Sequence, residues 1–210
     1  ITTFSLHPIK SITTGEGGMI TTNNKNYFKR INILKNHGIV KKKIRKNINN
    51  WSYKVIAPGY NYRLSDISCS LGISQLKKID KFIKKRKVIF NWYVKKLYKY
   101  SHYLILPNSE NNQISANHLF IILFKENKIK ISREKILQKL YEKGIITQVH
   151  YIPVYHHPYY KNICKGFFVG ANFYFNNCLS LPIFPTLKLS DLNNVVKILK
   201  EILIRNKNEI

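Results

Sequence analysis

The stretch FSLHPIKSITTGEGGM, Phe4 to Met19, carries a hydroxyl, an imidazole and an amine at Ser5, His7 and Lys10, followed by Gly15, Gly17 and Gly18. Lys10 is the one lysine of this stretch, in a chain where basic residues otherwise gather in runs such as KKIDKFIKKRK, Lys77 to Lys87. Alternation along a strand lets the three side chains converge at the strand end, and the glycines permit positive φ and a close approach of backbone to a ligand. An amine partly withdrawn from water favours its neutral, nucleophilic form and condenses with an aldehyde. Without the glycine-rich turn beside it, Lys10 would read as a plain surface lysine ending a strand.

The elements that must position these groups follow from pattern and punctuation. TTFSL, from Thr2, and GMITT, from Gly18, read as short strands on either side of the turn. NNKNYFKRINILKNHG reads as a helix capped by Asn23 or Asn24, with Tyr27, Ile31 and Leu34 as its apolar stripe and Gly38 as its stop. Residues Val40 to Pro58 are polar and basic, as in a surface loop. A single long helix is expected from an N-cap at Ser65 to about Tyr100, its periodic face made by Leu71, Gln75, Ile79, Phe82, Ile83, Val88 and Val94. Beyond a loop with Pro107 and NSENNQ, the order becomes strand (NHLFIILF), helix (Ser132 to Gly144) and strand (IITQVHY), then an aromatic stretch, a CLSLPIF strand and a last helix from Ser190. This βαβ spacing predicts an α/β sandwich as a second, smaller domain.

Composition bounds the function classes. The 210 residues are 44% hydrophobic, enough for one or two compact units. No run reaches the roughly 18 apolar residues of a membrane-spanning helix, so no membrane partner is expected. The formal charge is +26, from 36 Lys and Arg against 10 Asp and Glu, yet only six of the basic residues are Arg. Arg is the preferred side chain for phosphate and base-edge recognition. Lys, Asn, Ile, Tyr and Phe rise together, as in an AT-rich genome, so the charge reads as drift and no nucleic-acid partner is expected. A basic nucleic-acid-binding module is the alternative from another class. Cys69, Cys164 and Cys178 are odd in number and lack CxxC spacing, which fits a reducing cytoplasm and neither a disulfide framework nor a zinc site. His156, His157, Tyr159 and Tyr160 cluster in sequence without the carboxylate or Cys spacing of a metal site, so no metal is expected.

The cofactor whose enzymes need a lone lysine amine is pyridoxal phosphate, an electron sink for carbanions. FSLHPIKSITTGEGGMITTN resembles the lysine segment of the DegT/DnrJ-type sugar aminotransferases, roughly S-F-H-x-x-K-x-[IL]-T-x-x-E-G-G. KNHG, GYNYRLSDISCSLGISQLKKID and QVHYIPVYHHPYY follow in the order and spacing of that family, so the resemblance covers nearly the whole chain. With SANHLFIILF included, the run is most similar to the branch of pseudaminic acid biosynthesis, which acts on a UDP-linked 4-keto-6-deoxy sugar. Leu6 stands where the family usually has Phe, and Pro8 where small residues are common.

The resemblance implies an α/β fold, the C-terminal part of a fold-type I pyridoxal-phosphate transferase. Residues 1–80 would end the large cofactor-binding domain and residues 81–210 would form the small α/β domain, joined by a long linking helix. It implies an aminotransferase in which Lys10 forms the Schiff base with the cofactor and Ser5 donates to its phosphate. Asn61 would reach the phosphate held by the neighbouring subunit, making a homodimer with shared active sites. Arg63 would contact the diphosphate of a UDP-sugar, with His7, His150 and Tyr151 beside the sugar, and glutamate would be the amino donor. His7 also reads as a structural histidine, Arg63 as a structural ion pair and Glu16 as a turn residue. The Lys at position 10 speaks against the dehydratase branch of the family, where a histidine stands.

In the family, the acid that pairs with the pyridinium nitrogen, the aromatic that stacks on the ring and the helix N-terminus that cradles the phosphate all precede the lysine. None is in this chain, which starts at Ile1 rather than Met, and an N-terminal portion is expected to be missing. The piece alone is expected to be inactive or a weak aldehyde trap, with exposed apolar edges. An inactive gene fragment is the remaining alternative.

Overall fold

The computed structural model describes residues 1–41, 52–108, 115–166 and 168–206, which fall into two compact units, Ile1–Ile79 and Asp80–Ile210.

In the first unit, β1 (Thr2–Ser5) and β2 (Gly18–Thr21) pair antiparallel with Phe4 opposite Met19 and Ser5 opposite Gly18. Helix α1 (Lys25–Leu34) starts at Asn24, whose Oδ1 accepts from the amides of Asn26 at 2.8 Å and Tyr27 at 3.1 Å. Of the two expected caps, Asn23 and Asn24, the cap is Asn24. Two short strands, β3 (Ile39–Lys41) and β4 (Tyr53–Val55), pair antiparallel where the sequence reads as a loop. Their apolar residues at Ile39, Val40, Tyr53 and Val55 supply the β preference that the surrounding lysines hide. Residues 42–51 of that loop, which include most of the KKKIRK run, lie outside the described residues, as does most of NSENNQ. Helix α2 (Asp66–Leu76) is capped by Ser65, whose Oγ accepts from the Ser68 amide at 3.2 Å.

The single long helix expected from Ser65 to Tyr100 is two helices. After α2 the amide of Lys78 bonds the carbonyl of Gln75, three residues back, and α3 (Ile79–Leu97) begins a new run that ends in a 3-10 turn at Tyr98–Tyr100. Helical preference runs through the break because Lys77 and Lys78 are good helix formers. The buried face of α3 also differs from the expected one: Arg86, Ile89, Phe90, Tyr93 and Leu97 are buried, while Val88 is 70% exposed. Five positions at 3.6-residue spacing define that face, and Val88 lies off it.

In the second unit, β5 (Leu104–Ile105), β6 (Phe120–Phe124) and β7 (Cys178–Leu181) form one sheet in the order β5-β6-β7, antiparallel throughout. The expected βαβ unit, which requires parallel strands, does not form. Helix α4 (Arg133–Glu142) starts at the predicted cap Ser132, and Gly144 stops it at a φ of 75°. IITQVHY then contributes one bridge, Gln148 to Ser180, in place of a strand. Its in-out alternation survives, with Ile145 and Thr147 buried and Ile146 and Gln148 exposed. The aromatic stretch forms a 3-10 turn at Val154–His156 and helices α5 (Pro158–Lys161) and α6 (Val169–Asn177), which lead back into β7. Helix α7 (Leu189–Arg205) places Leu192, Val195, Leu199, Ile202 and Leu203 in the core. Tyr93, Phe120 and Ile122 are completely buried there, each worth about 1.5–3 kcal/mol relative to exposure.

Candidate functional site

The candidate lysine sits in the loop between β1 and β2, and backbone bonds close its neck. The Leu6 amide donates to the Gly17 carbonyl at 2.9 Å, and the Thr14 amide donates to the Leu6 carbonyl at 3.0 Å. Thr13 Oγ1 donates to the same Leu6 carbonyl at 3.0 Å and accepts from the Gly15 amide at 2.9 Å. Leu6 and Thr14 are buried, so the neck is fixed while the loop between them stays accessible. Thr14 Oγ1 donates to the Glu16 carbonyl at 2.8 Å.

The glycines answer to specific constraints. Gly15 has a φ of 81°. Gly17 has a φ of 147°, and a Cβ there would stand 2.6 Å from Thr14 Oγ1 and 2.7 Å from Leu64 Cδ1. Both positions exclude an ordinary L side chain.

The strand alternation expected to gather Ser5, His7 and Lys10 is not what relates them. β1 stops at Ser5, and a turn follows in which the Lys10 amide donates to the His7 carbonyl at 2.9 Å. Proline at position 8 suits such a turn and leaves the ladder without a donor. Lys10 is half-buried, and its side-chain amine makes no hydrogen bond or ion pair with the described residues. Ser5 is exposed, with Gly18 opposite, so no side chain faces its hydroxyl across the pair. His7 Nδ1 accepts from the Ile9 amide at 3.3 Å, and its Nε2 lies 3.7 Å from Glu16 Oε1. The Lys10 amine and the Ser5 hydroxyl, both uncommitted to described groups, are of the kinds that meet an aldehyde and one phosphate oxygen.

Asn61 and Arg63 lie on one exposed segment of the same unit. The segment is held by the His37 amide donating to the Tyr60 carbonyl at 2.9 Å and the Tyr62 amide donating to the Lys35 carbonyl at 2.9 Å. Asn61 bridges Asn36, and Arg63 Nη1 donates to Asn36 Oδ1 at 2.6 Å. Tyr60 and Tyr62 stack with centroids 4.9 Å apart. Arg63 shares a groove of about 770 Å³ with Phe4, Glu16, Gly17 and Gly18, whereas Ser5, His7 and Lys10 are not in its lining.

His150 and Tyr151 belong to the second unit. His150 Nδ1 is 2.7 Å from Ser180 Oγ, and Tyr151 is 66% exposed with its ring edge-on to the imidazole. Nearby in sequence, Asn172 Oδ1 accepts from Tyr155 Oη at 2.9 Å and lies 3.1 Å from His156 Nε2. Burial pushes the Cys178 thiol up, against the opposing pull of Arg133.

Thr13 and Thr14, absent from the residues expected to matter, build the loop's neck. The signal was present as a Thr-Thr pair directly before the glycine turn, where hydroxyls bond nearby backbone.

The chain is similar to several known proteins. The chain is 38% identical to UDP-4-amino-4,6-dideoxy-N-acetyl-beta-L-altrosamine transaminase of Campylobacter jejuni over 206 residues, which is 97% of this chain and 52% of the relative. PseC of Helicobacter pylori, an aminotransferase involved in pseudoaminic acid biosynthesis, superposes with a TM-score of 0.88 at 29% identity, covering 97% of this chain and 53% of that one. Spr1654 of Streptococcus pneumoniae, solved in a PMP form and a PLP form, superposes with TM-scores of 0.86 and 0.83 at 26% identity. That match covers 97% of this chain and 53% and 52% of the two neighbour chains. The chain thus spans about half the length of the relatives it matches, and their N-terminal part has no counterpart in it. The fold is the C-terminal part of a fold-type I transferase. The model of the DegT/DnrJ/EryC1/StrS aminotransferase family matches residues 1–200, and this chain belongs to that family.

Proposed function

We propose that this chain is the C-terminal part of a pyridoxal-phosphate-dependent aminotransferase of nucleotide sugars. The reading is that it moves an amino group from glutamate to the keto carbon of a UDP-linked 4-keto-6-deoxy sugar, in the cytoplasm, for surface glycan or polysaccharide synthesis. The observation that carries it is the clamped loop: Lys10 stands between Leu6 and Thr14 in a chain of this family, with its amine free of described partners. When bound, pyridoxal phosphate supplies an aldehyde for an amine and a ring that takes up negative charge.

The residues of this chain then have separate tasks. Lys10 Nζ would hold the aldehyde carbon and, once released, would move the proton between the cofactor C4′ carbon and the sugar C4. Ser5 Oγ donates to the phosphate, and Asn61 serves the phosphate held in the second subunit of a homodimer. Arg63 keeps guanidinium N–H groups for the diphosphate of the nucleotide beyond the one bonded to Asn36. His7, His150 and Tyr151 line the sugar. Turnover requires the N-terminal part of the family architecture, because the partner of the pyridinium nitrogen lies there, and the chain alone is inactive.

The test is amino transfer from glutamate to a UDP-4-keto-6-deoxy sugar by this chain joined to that N-terminal part, beside the Lys10→Ala variant. Turnover that disappears in the variant is expected. Turnover that persists in it would sink the reading.

A further inference from the structure

The sheet of the second unit holds His150 through one residue. Ser180 lies in β7 opposite Ile121 of β6 and bridges Gln148 on its other side. The Ser180 amide donates to the Gln148 carbonyl at 2.8 Å, and the Gln148 amide donates to the Ser180 carbonyl at 3.3 Å. Two residues on from Gln148, His150 Nδ1 stands 2.7 Å from Ser180 Oγ. Ser180 thus fixes both the backbone of this segment and the imidazole it carries.

The direction of the side-chain bond follows from burial. Ser180 is 6% exposed, and His150 Nδ1 is the one partner of its hydroxyl among the described residues. A hydroxyl has a single proton to donate and two lone pairs to accept with. If the imidazole N–H pointed at Oγ, the hydroxyl proton would have no acceptor, and an unmet buried donor costs more than a made bond contributes. If the hydroxyl donates to a bare Nδ1, no proton at this contact is left over. The imidazole proton then sits on Nε2.

The far end of the segment is pinned as well. Asn172 of α6 accepts at Oδ1 from Tyr155 Oη at 2.9 Å and lies 3.1 Å from His156 Nε2. Tyr155 stacks on Phe168, and His156 meets Phe175 edge-on. Tyr151 lies between the two anchors, 66% exposed, with its ring edge-on to the His150 imidazole at 4.6 Å. A segment held at both ends presents its side chains to a ligand with little left to order.

We propose that Ser180 is a positioning residue: its hydroxyl holds the His150 imidazole in one orientation with the proton on Nε2, and so sets the face that His150 and Tyr151 offer to the sugar. A ring in that state recognises an acceptor, a keto or hydroxyl oxygen of the sugar. The part played toward the sugar rests on the function proposed above, whereas the place of the proton rests on the Ser180 contact alone.

The test has two arms. In the full chain, nitrogen NMR of the imidazoles, with His150 assigned by its loss in His150→Gln, should show Nε2 protonated and Nδ1 bare. Ser180→Ala should raise the share of the Nδ1–H tautomer about fivefold, the factor that one neutral hydrogen bond contributes. In the enzyme assembled with the N-terminal part of the family architecture, Ser180→Ala should raise the KM for a UDP-4-keto-6-deoxy sugar about fivefold and leave the glutamate half-reaction at its wild-type rate. In a His150→Ala background the same substitution should change that KM less than about twofold, because its effect passes through the imidazole. The proposal is overturned if Nδ1 carries the proton in the wild-type chain, if Ser180→Ala leaves the tautomers as they were, or if it acts as strongly without His150. An assembled wild-type enzyme that transfers no amino group to the sugar would count against the proposed reaction instead, and the tautomer of His150 would still decide the part played by Ser180.

Discussion

The amide of Thr14 donates to the carbonyl of Leu6 at 3.0 Å, joining the two buried residues of the lysine loop directly to each other. Because the same carbonyl also accepts from Thr13 Oγ1, the neck that presents Lys10 is bonded twice at one oxygen.

Replacing Thr13 with Val keeps the shape and removes the hydroxyl. Two bonds are lost, one to the Leu6 carbonyl and one from the Gly15 amide, at about 1 kcal/mol each. Faster exchange of the Thr14 and Gly15 amides is expected, with poorer trapping of pyridoxal phosphate at Lys10. Unchanged exchange would show that the backbone bonds hold the loop without Thr13.

Asn61 and Arg63 depend on a tight crossing of two backbones. A Cβ on Gly59 would run into the Gly38 amide nitrogen and stand 2.8 Å from the Leu34 carbonyl, so Gly59→Ala must push the segments apart. Such overpacking costs about 1–3 kcal/mol. The amides of His37 and Tyr62 should exchange faster, and cofactor retention in the assembled enzyme should fall. Wild-type exchange at both would contradict the role given to this crossing.

The roles proposed for Lys10, Ser5, Asn61 and Arg63 come from residue type and order in short motifs. The fold was legible where local signals decide it: Asn24, Ser65 and Ser132 cap helices as expected, and Gly144 ends one. It was not legible where tertiary pairing decides. Nothing local told that NHLFIILF and CLSLPIF run antiparallel, since direction follows from how the chain between them travels. The break after α2 was hidden for a related reason, as Lys77 and Lys78 continue a helix as readily as they end one. Alternation would carry His7 and Lys10 along a strand, but the turn preference of Pro8 prevails after Ser5.

In the second unit, Tyr93 donates through Oη to the Pro182 carbonyl at 3.0 Å, and burial holds its phenol well above the ordinary value. The folded state therefore keeps a proton that the unfolded state releases. That contribution to stability is complete below the ordinary phenol value of about 10 and is lost as pH rises past it. Tyr174 is raised by burial as well, so Tyr93→Phe should reduce the alkaline loss of melting temperature and leave some of it. At neutral pH the same variant should cost about 1 kcal/mol, for the Pro182 carbonyl left without its donor. An alkaline melting curve identical to wild type would contradict this placement of Tyr93.

The three thiols are free and differ in access: Cys69 is exposed, Cys164 half-buried and Cys178 buried with its thiol raised by burial. Alkylation should label Cys69 first and Cys178 last, the latter only as the second unit opens. Peptide mass spectrometry over a time course reads the order directly, and early labelling of Cys178 would contradict the described core.

The central claim is that Lys10 is the carbonyl-condensing amine. Its most direct test is to incubate the chain, joined to the N-terminal part of the family architecture, with pyridoxal phosphate, reduce with borohydride and map the pyridoxyl group by peptide mass spectrometry. The account predicts a label concentrated on Lys10 and lost in Lys10→Ala. A label spread over the surface lysines, or one unaffected by the substitution, would contradict it.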